Sequence, residues 1–179
     1  MAVPPVFVAG QVLTAAQMNK VGLWLIKSQT IGTTVSSVTV SDVFSSDFDN
    51  YKIIVKGGTV SADCNLLMTL GSTTTGYYWA GNGLLYAATT LNGGSVNGSS
   101  WFAGYGRTAG LSSMLDLCNP YLSDESYFTT SSAQMATNGG AIYVGGYLNN
   151  TTSYTAFTIT TSTGTMTGGT IDVYGYRRA

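Results

Sequence analysis

The chain has 179 residues, of which only 8% are charged, and seven basic against eight acidic residues leave a formal net charge of −1. That length fits one domain with a short arm, and no cluster of either sign is large enough to hold a phosphate backbone, which excludes nucleic acid as a partner. So little charge gives a free monomer poor protection against association and points to obligate assembly, while 12% aromatic residues supply a core that a disordered Ser/Thr/Gly-rich chain lacks.

In chain order, Val3 to Gly10 (VPPVFVAG) opens with Pro4 and Pro5, which force an extended arm. No basic n-region precedes it, and no apolar run approaches the ~20 residues of a membrane helix, so the expectation is synthesis in a cytoplasm without membrane insertion. The one helical candidate follows: Thr14 as N-cap, Leu13 as a staple residue, and Ala15 to Lys27 carrying Met18, Val21 and Leu25 on one stripe, with Gly22 keeping it short.

After Ser28 the pattern turns to period two with Thr, Val, Ile and Tyr, the signature of half-buried strands. Val38 and Val40 share a face; Tyr51, Ile53 and Val55 share another, opposite Lys52 and Lys56. Further strands are predicted at Asn65–Leu70, Leu84–Thr89, Ser100–Tyr105, Ser113–Cys118, Ser126–Thr130, Ala141–Tyr147, Tyr154–Thr161 and Thr170–Tyr176, about ten in all. The stretches rich in turn residues between them include Gly57-Gly58, Gly71–Gly76, Asn92–Gly98 and Thr163–Gly169. Short strands at this spacing predict an all-β fold, a jelly-roll-like antiparallel β-sandwich (residues 29–179) preceded by an extended arm and one short helix (residues 1–28). No spacing recurs often enough for a solenoid or propeller.

Chemistry is sparsely equipped. Histidine is absent, which removes Ser-His-Asp and Cys-His catalysis. Cys64 and Cys118 lie far apart with no CxxC spacing and read as separate buried thiols on strands. Asp42, Asp47 and Asp49 match no calcium loop and read as shapers of a turn. Asp124 and Glu125 are adjacent and diverge, which argues against a glycosidase pair. Arg107, Arg177 and Arg178 are too few for a nucleic-acid patch, and the N-x-[ST] triplets at Asn97, Asn149 and Asn150 arise easily in so hydroxyl-rich a chain. No metal or other cofactor is expected. Tyr77, Tyr78, Trp79, Trp101, Phe102 and Tyr105 concentrate aromatic rings; these suit a core, a subunit interface or a surface that stacks on sugars.

The segment FVAGQVLTAAQMNKVGLW (Phe7 to Trp24) resembles the short attachment segment, an aromatic residue followed by AG-x-VLTAA-x-x-N, that opens small tail-fibre, minor-tail and head-decoration proteins of tailed bacteriophages. IGTTVSSVTVSDVFSSDFDNYKIIVKG and the C-terminal GGTIDVYGYRRA look like the paired first and last strands of the same group. The resemblance implies a non-enzymatic virion structural protein, homotrimeric, either a short fibre or tail appendage or a capsid decoration. Its arm would grip a capsid or tail protein through Val6, Phe7, Val8, Leu13 and Trp24. The alternative expectation is a module that binds a host glycan or receptor through Tyr77, Tyr78, Trp79, Trp101 and Tyr105, and behind it a glycan hydrolase.

Overall fold

The computed structural model describes residues 9, 10, 12, 22–86, 90–133 and 139–177. These form an all-β structure with no helix: β1 (Leu23–Thr30), β2 (Ser37–Val40), β3 (Phe48–Lys56), β4 (Thr59–Val60), β5 (Cys64–Leu70), β6 (Tyr77–Leu85), β7 (Thr90–Gly98), β8 (Trp101–Arg107), β9 (Gly110–Cys118), β10 (Ser126–Ala133), β11 (Gly140–Leu148), β12 (Phe157–Thr161), β13 (Met166–Thr167) and β14 (Thr170–Arg177). Every pairing is antiparallel. One path runs β1-β14-β3-β9-β10-β11-β6-β7. A second runs β2-β12-β5-β8 and joins the first where Gly106 and Arg107 of β8 pair with Leu111 and Gly110 of β9. The pair β4-β13 stands apart.

Alternation decides which face is buried. In β3, Tyr51, Ile53 and Val55 are buried while Lys56 is exposed, as the period-two pattern predicts; in β9 the buried set is Leu111, Ser113, Leu115 and Leu117. The second path contributes Leu66, Met68, Leu70, Phe157 and Ile159. The two sets meet through aromatic rings. Trp101 of β8 stacks on Phe128 of β10 at 4.5 Å and meets Tyr77 of β6 edge-on at 5.1 Å, and Phe44 lies between Tyr51 (4.7 Å) and Phe157 (5.7 Å).

Where β8 parts from β9, backbone groups of β8 lose a ladder partner inside the protein, and side-chain hydroxyls replace it. Ser113 and Thr130 both donate to the Ala103 carbonyl, the Tyr105 N–H donates to Ser132 Oγ (3.3 Å), and the Ser132 hydroxyl donates to the Ser112 carbonyl (2.7 Å). This accounts for Ser113, Thr130 and Ser132 in an apolar interior: without them the carbonyl and N–H would be buried unpaired. At the far end of β3, Gly57-Gly58 crosses Gly168-Gly169 so closely that a Cβ at Gly58 would overlap the Gly168 carbonyl, and both members of each pair have positive φ.

Three sequence expectations change. Of the helix predicted from Ala15 to Lys27, Leu23–Lys27 is strand instead, because it belongs to β1 and pairs with β14, and Gly22 is a bend with positive φ; Ala15 to Val21 lie outside the described residues. Asn92–Gly98, expected as a separator, is most of β7, since pairing along the whole of β6 outweighs the weak strand preference of Asn and Gly. Of the strand predicted at Leu84–Thr89, Leu84 and Leu85 end β6 and Tyr86 is already in a turn. The other predicted strands appear within a few residues of their bounds, the short β4 and β13 arise where no strand was expected, and Cys64 and Cys118 are free thiols on β5 and β9.

Candidate functional site

The face of the long path that points away from the core is unusually rich in rings. Register aligns its residues in rows across the strands. One row reads Tyr176, Asn50, Cys118, Tyr127, Tyr147, Tyr78. The next reads Tyr174, Lys52, Asp116, Thr129, Gly145, Ala80, Gly94, and the third Asp172, Ile54, Met114, Ser131, Tyr143, Asn82, Asn92. The Tyr78 and Tyr147 rings stack at 4.9 Å with 11° between their planes, and Tyr127 follows 6.4 Å from Tyr147. Directly opposed rings of this kind stabilise a sheet. Tyr143 is 58% exposed and Tyr127 46%, so the face is open along its aromatic half.

Charge gathers at the other half. Lys52 pairs with Asp116 (3.2 Å), which also accepts from the Tyr176 hydroxyl (2.6 Å). Partial burial and that carboxylate together push the Tyr176 phenol up to about 12, because ionising it would place a second negative charge beside Asp116. Nearer β1, Asp172 accepts from the Ser28 hydroxyl (2.5 Å) and pairs with Lys56 (2.5 Å), and the hydrogen bonds from Lys56 and Ser28 hold its carboxyl below the ordinary range. At the start of β10, Tyr127 donates to Glu125 (3.0 Å), which raises the Tyr127 phenol.

Of the aromatic residues considered for glycan contact, Tyr78 alone stands in these rows. Tyr77 and Trp101 are fully buried, which corrects that expectation for both: a ring closed in by the core has no face to offer a ligand. Tyr77 donates its hydroxyl to the Thr73 carbonyl and accepts from the Leu70 N–H, its phenol pushed up to about 12 by burial, and the Trp101 indole donates to the Tyr147 carbonyl (3.1 Å). Trp79 and Tyr105 are half-buried against Phe102, at 5.5 and 4.9 Å. Trp24 lies on β1, 39% exposed, while Val6, Phe7, Val8 and Leu13 fall outside the described residues. Tyr127, Tyr143 and Tyr147, which the sequence reading passed over, carry the face; the available signal was their parity, opposite to that of the apolar residues in SYFTTSSA and AIYVGGYL.

Most of the acidic residues have structural partners. Asp47 exchanges hydrogen bonds with Ser45 in the turn before β3, Asp63 takes Arg107 (2.8 Å) and the Thr108 N–H, and Asp124 accepts from the Glu125 N–H. Among the described residues no group of three or more Cys, Asp or Glu is placed to hold a metal ion, and no helix is long and apolar enough to cross a membrane. Compared with known proteins, the chain matches no family model and no curated sequence.

Proposed function

We propose that this protein is a non-enzymatic structural component of a tailed-bacteriophage particle, a short fibre, tail appendage or capsid decoration, working as a homotrimer whose N-terminal segment binds a capsid or tail protein. The observation that carries this reading is the arrangement of the three stretches that resemble such proteins. The first runs into β1, the second contains β2 and β3, and the third contains β14; β1, β14 and β3 are consecutive neighbours in that order, while β2 pairs with β12 on the second path. Stretches scattered along the chain thus meet as one unit, with the N-terminal segment leading directly out of it.

The body is read as an antiparallel β-sandwich, its two paths facing one another through Trp101, Phe128, Phe44 and Phe157. Its kinship with a jelly roll is one of layering, since β9, β10 and β11 are successive neighbours, a meander. Assembly is supported by the edges: among the described residues β1 and β7 each pair on one side only, and Leu23 and Leu25 on β1 are exposed. A third chain closing a ring would cover such edges. The non-enzymatic reading is supported by Asp63, Asp116 and Asp172, each committed to a cation.

The test is light scattering on the full chain beside one beginning at Gly22, with antibody labelling of phage particles. The full chain should have three times its 18.7 kDa mass and the shortened chain three times its own smaller mass, and the antibody should label particles. Monomers in both cases, or unlabelled particles, would overturn the reading.

A further inference from the structure

Across the aromatic half of the outer face, Gly145 of β11 stands opposite Ala80 of β6, and Ala80 opposite Gly94 of β7. Three adjacent strands therefore place almost no side chain on one row, leaving roughly 10 Å of open floor at ordinary strand spacing. Taller rows flank it: Tyr147 and Tyr78 on one side, Tyr143, Asn82 and Asn92 on the other. Two adjoining troughs of 330 and 390 Å³ result, and both have Ala80 and Gly145 in their floor.

Gly145 is the telling residue. Its φ is not in the left-handed region, and a Cβ there would meet nothing closer than the Phe128 carbonyl at 3.8 Å, an ordinary contact. Its neighbours differ: a Cβ at Gly146 would strike the backbone of Tyr78, and one at Gly81 the backbone of Tyr143, so the fold itself requires those glycines. Nothing in the backbone requires Gly145, although glycine weakens a strand interior. What its missing side chain does is keep the trough open.

We propose that this trough binds a segment of an uncharged oligosaccharide laid across β11, β6 and β7. No residue lining either trough carries a formal charge, which matches a neutral ligand and disfavours acidic polymers. Tyrosine rings offer apolar surface to the C–H faces of sugars, while Asn82, Ser95 and the tyrosine hydroxyls offer hydrogen bonds to their hydroxyl groups. Across the floor at Gly145 and Ala80 a peptide has no opening to add by strand pairing, because β11 and β6 are each already paired on both sides. The proposal does not depend on where on a particle, or whether on a particle, the protein sits.

The experiment screens the full-length protein against a panel of neutral and acidic bacterial-surface oligosaccharides, then titrates the binders against Gly145→Tyr, which fills the trough, and Tyr143→Ala, which removes one wall. Neutral glycans should bind, and each variant should lose about ten-fold or more in affinity with melting temperature and assembly mass unchanged. Failure of every neutral glycan to bind, preference for acidic ones, or binding by both variants equal to the parent's would refute the proposal. A fall in assembly mass in Gly145→Tyr would also refute it, because the occupant would then be a second copy of the chain. Should Gly145→Tyr fail to fold, Tyr143→Ala decides alone, its side chain being exposed.

Discussion

Replacing Trp101 by alanine tests whether the two paths are held together as described. The indole is fully buried, stacks on Phe128 at 4.5 Å, meets Tyr77 at 5.1 Å and donates to the Tyr147 carbonyl at 3.1 Å. Truncating a buried aromatic to alanine costs about 3–5 kcal/mol, and leaving the Tyr147 carbonyl without its donor adds about 1 kcal/mol. Against a total stability of roughly 5–15 kcal/mol, that is a large share. For a chain of this size it lowers the melting temperature by roughly 10–20 °C. Calorimetry and urea unfolding followed by circular dichroism measure it. Trp101→Phe, which keeps a ring but no N–H, should recover more than half of the loss. If Trp101→Ala melts within about 2 °C of the parent, the ring is not the joint between the paths, and the reading of Tyr77 and Trp101 as core fails with it.

Gly58→Ala should destabilise by at least about 2 kcal/mol, since it adds a left-handed non-glycine residue and forces the crossing with Gly168 apart; a chemical melt unchanged from the parent would contradict the crossing. On the acid side, Asp172 and Asp63 have carboxyl pKa values lowered by their partners, so the stability they contribute is present above the unfolded value of about 3.9 and is lost as pH falls through their folded values. Asp172→Asn should therefore flatten the decline in melting temperature below about pH 4, and an acid limb identical to the parent's would show the Lys56–Asp172 contact to be idle. On the alkaline side Tyr77 and Tyr176 titrate near 12, so the unfolded state releases their protons first and stability falls as pH rises from about 10 toward 12; ultraviolet titration of the native protein should show at least these two phenols ionising late. Burial raises both thiols, so iodoacetamide at neutral pH should label native Cys64 and Cys118 far more slowly than the unfolded chain. Equal rates would mean the strands carrying them are open.

The strands most legible in the sequence were those whose side chains obey two rules at once. In YKIIVKG, branched or aromatic residues occupy one parity and lysines the other, so both the strand and its buried face follow from the pattern. β6 and β7 break the second rule. In TLNGGSVNG neither parity is apolar, because β7 closes one end of the path with little core beneath it, and its existence is dictated by the backbone of β6 rather than by its own side chains. The start of β1 was misread for the opposite reason. LWLIK is apolar on both parities, which satisfies a helical stripe as well as a strand, and only the partner strand β14, almost 150 positions along, separates the two.

The outer face shows why a count of rings is a poor guide to a site. Tyr77, Tyr78 and Trp79 are consecutive and invite a single reading, yet a strand sends neighbours to opposite faces: Tyr77 goes to the core, Tyr78 to the outer rows, and Trp79 back toward Phe102. Parity could have sorted them, and it could have joined Tyr78 to Tyr143 and Tyr147, which alternate with Ile142, Val144 and Leu148. What parity could not give is the register that sets Gly145 beside Ala80 and Ala80 beside Gly94. Each residue is unremarked in its own strand, and Gly145 in particular is hidden inside a Gly-Gly pair whose second member the fold requires. The trough is therefore a property of three strands together. Its one trace in the sequence is a glycine that no turn explains, and filling that position by Gly145→Tyr is the substitution that separates a ligand's requirement from the fold's.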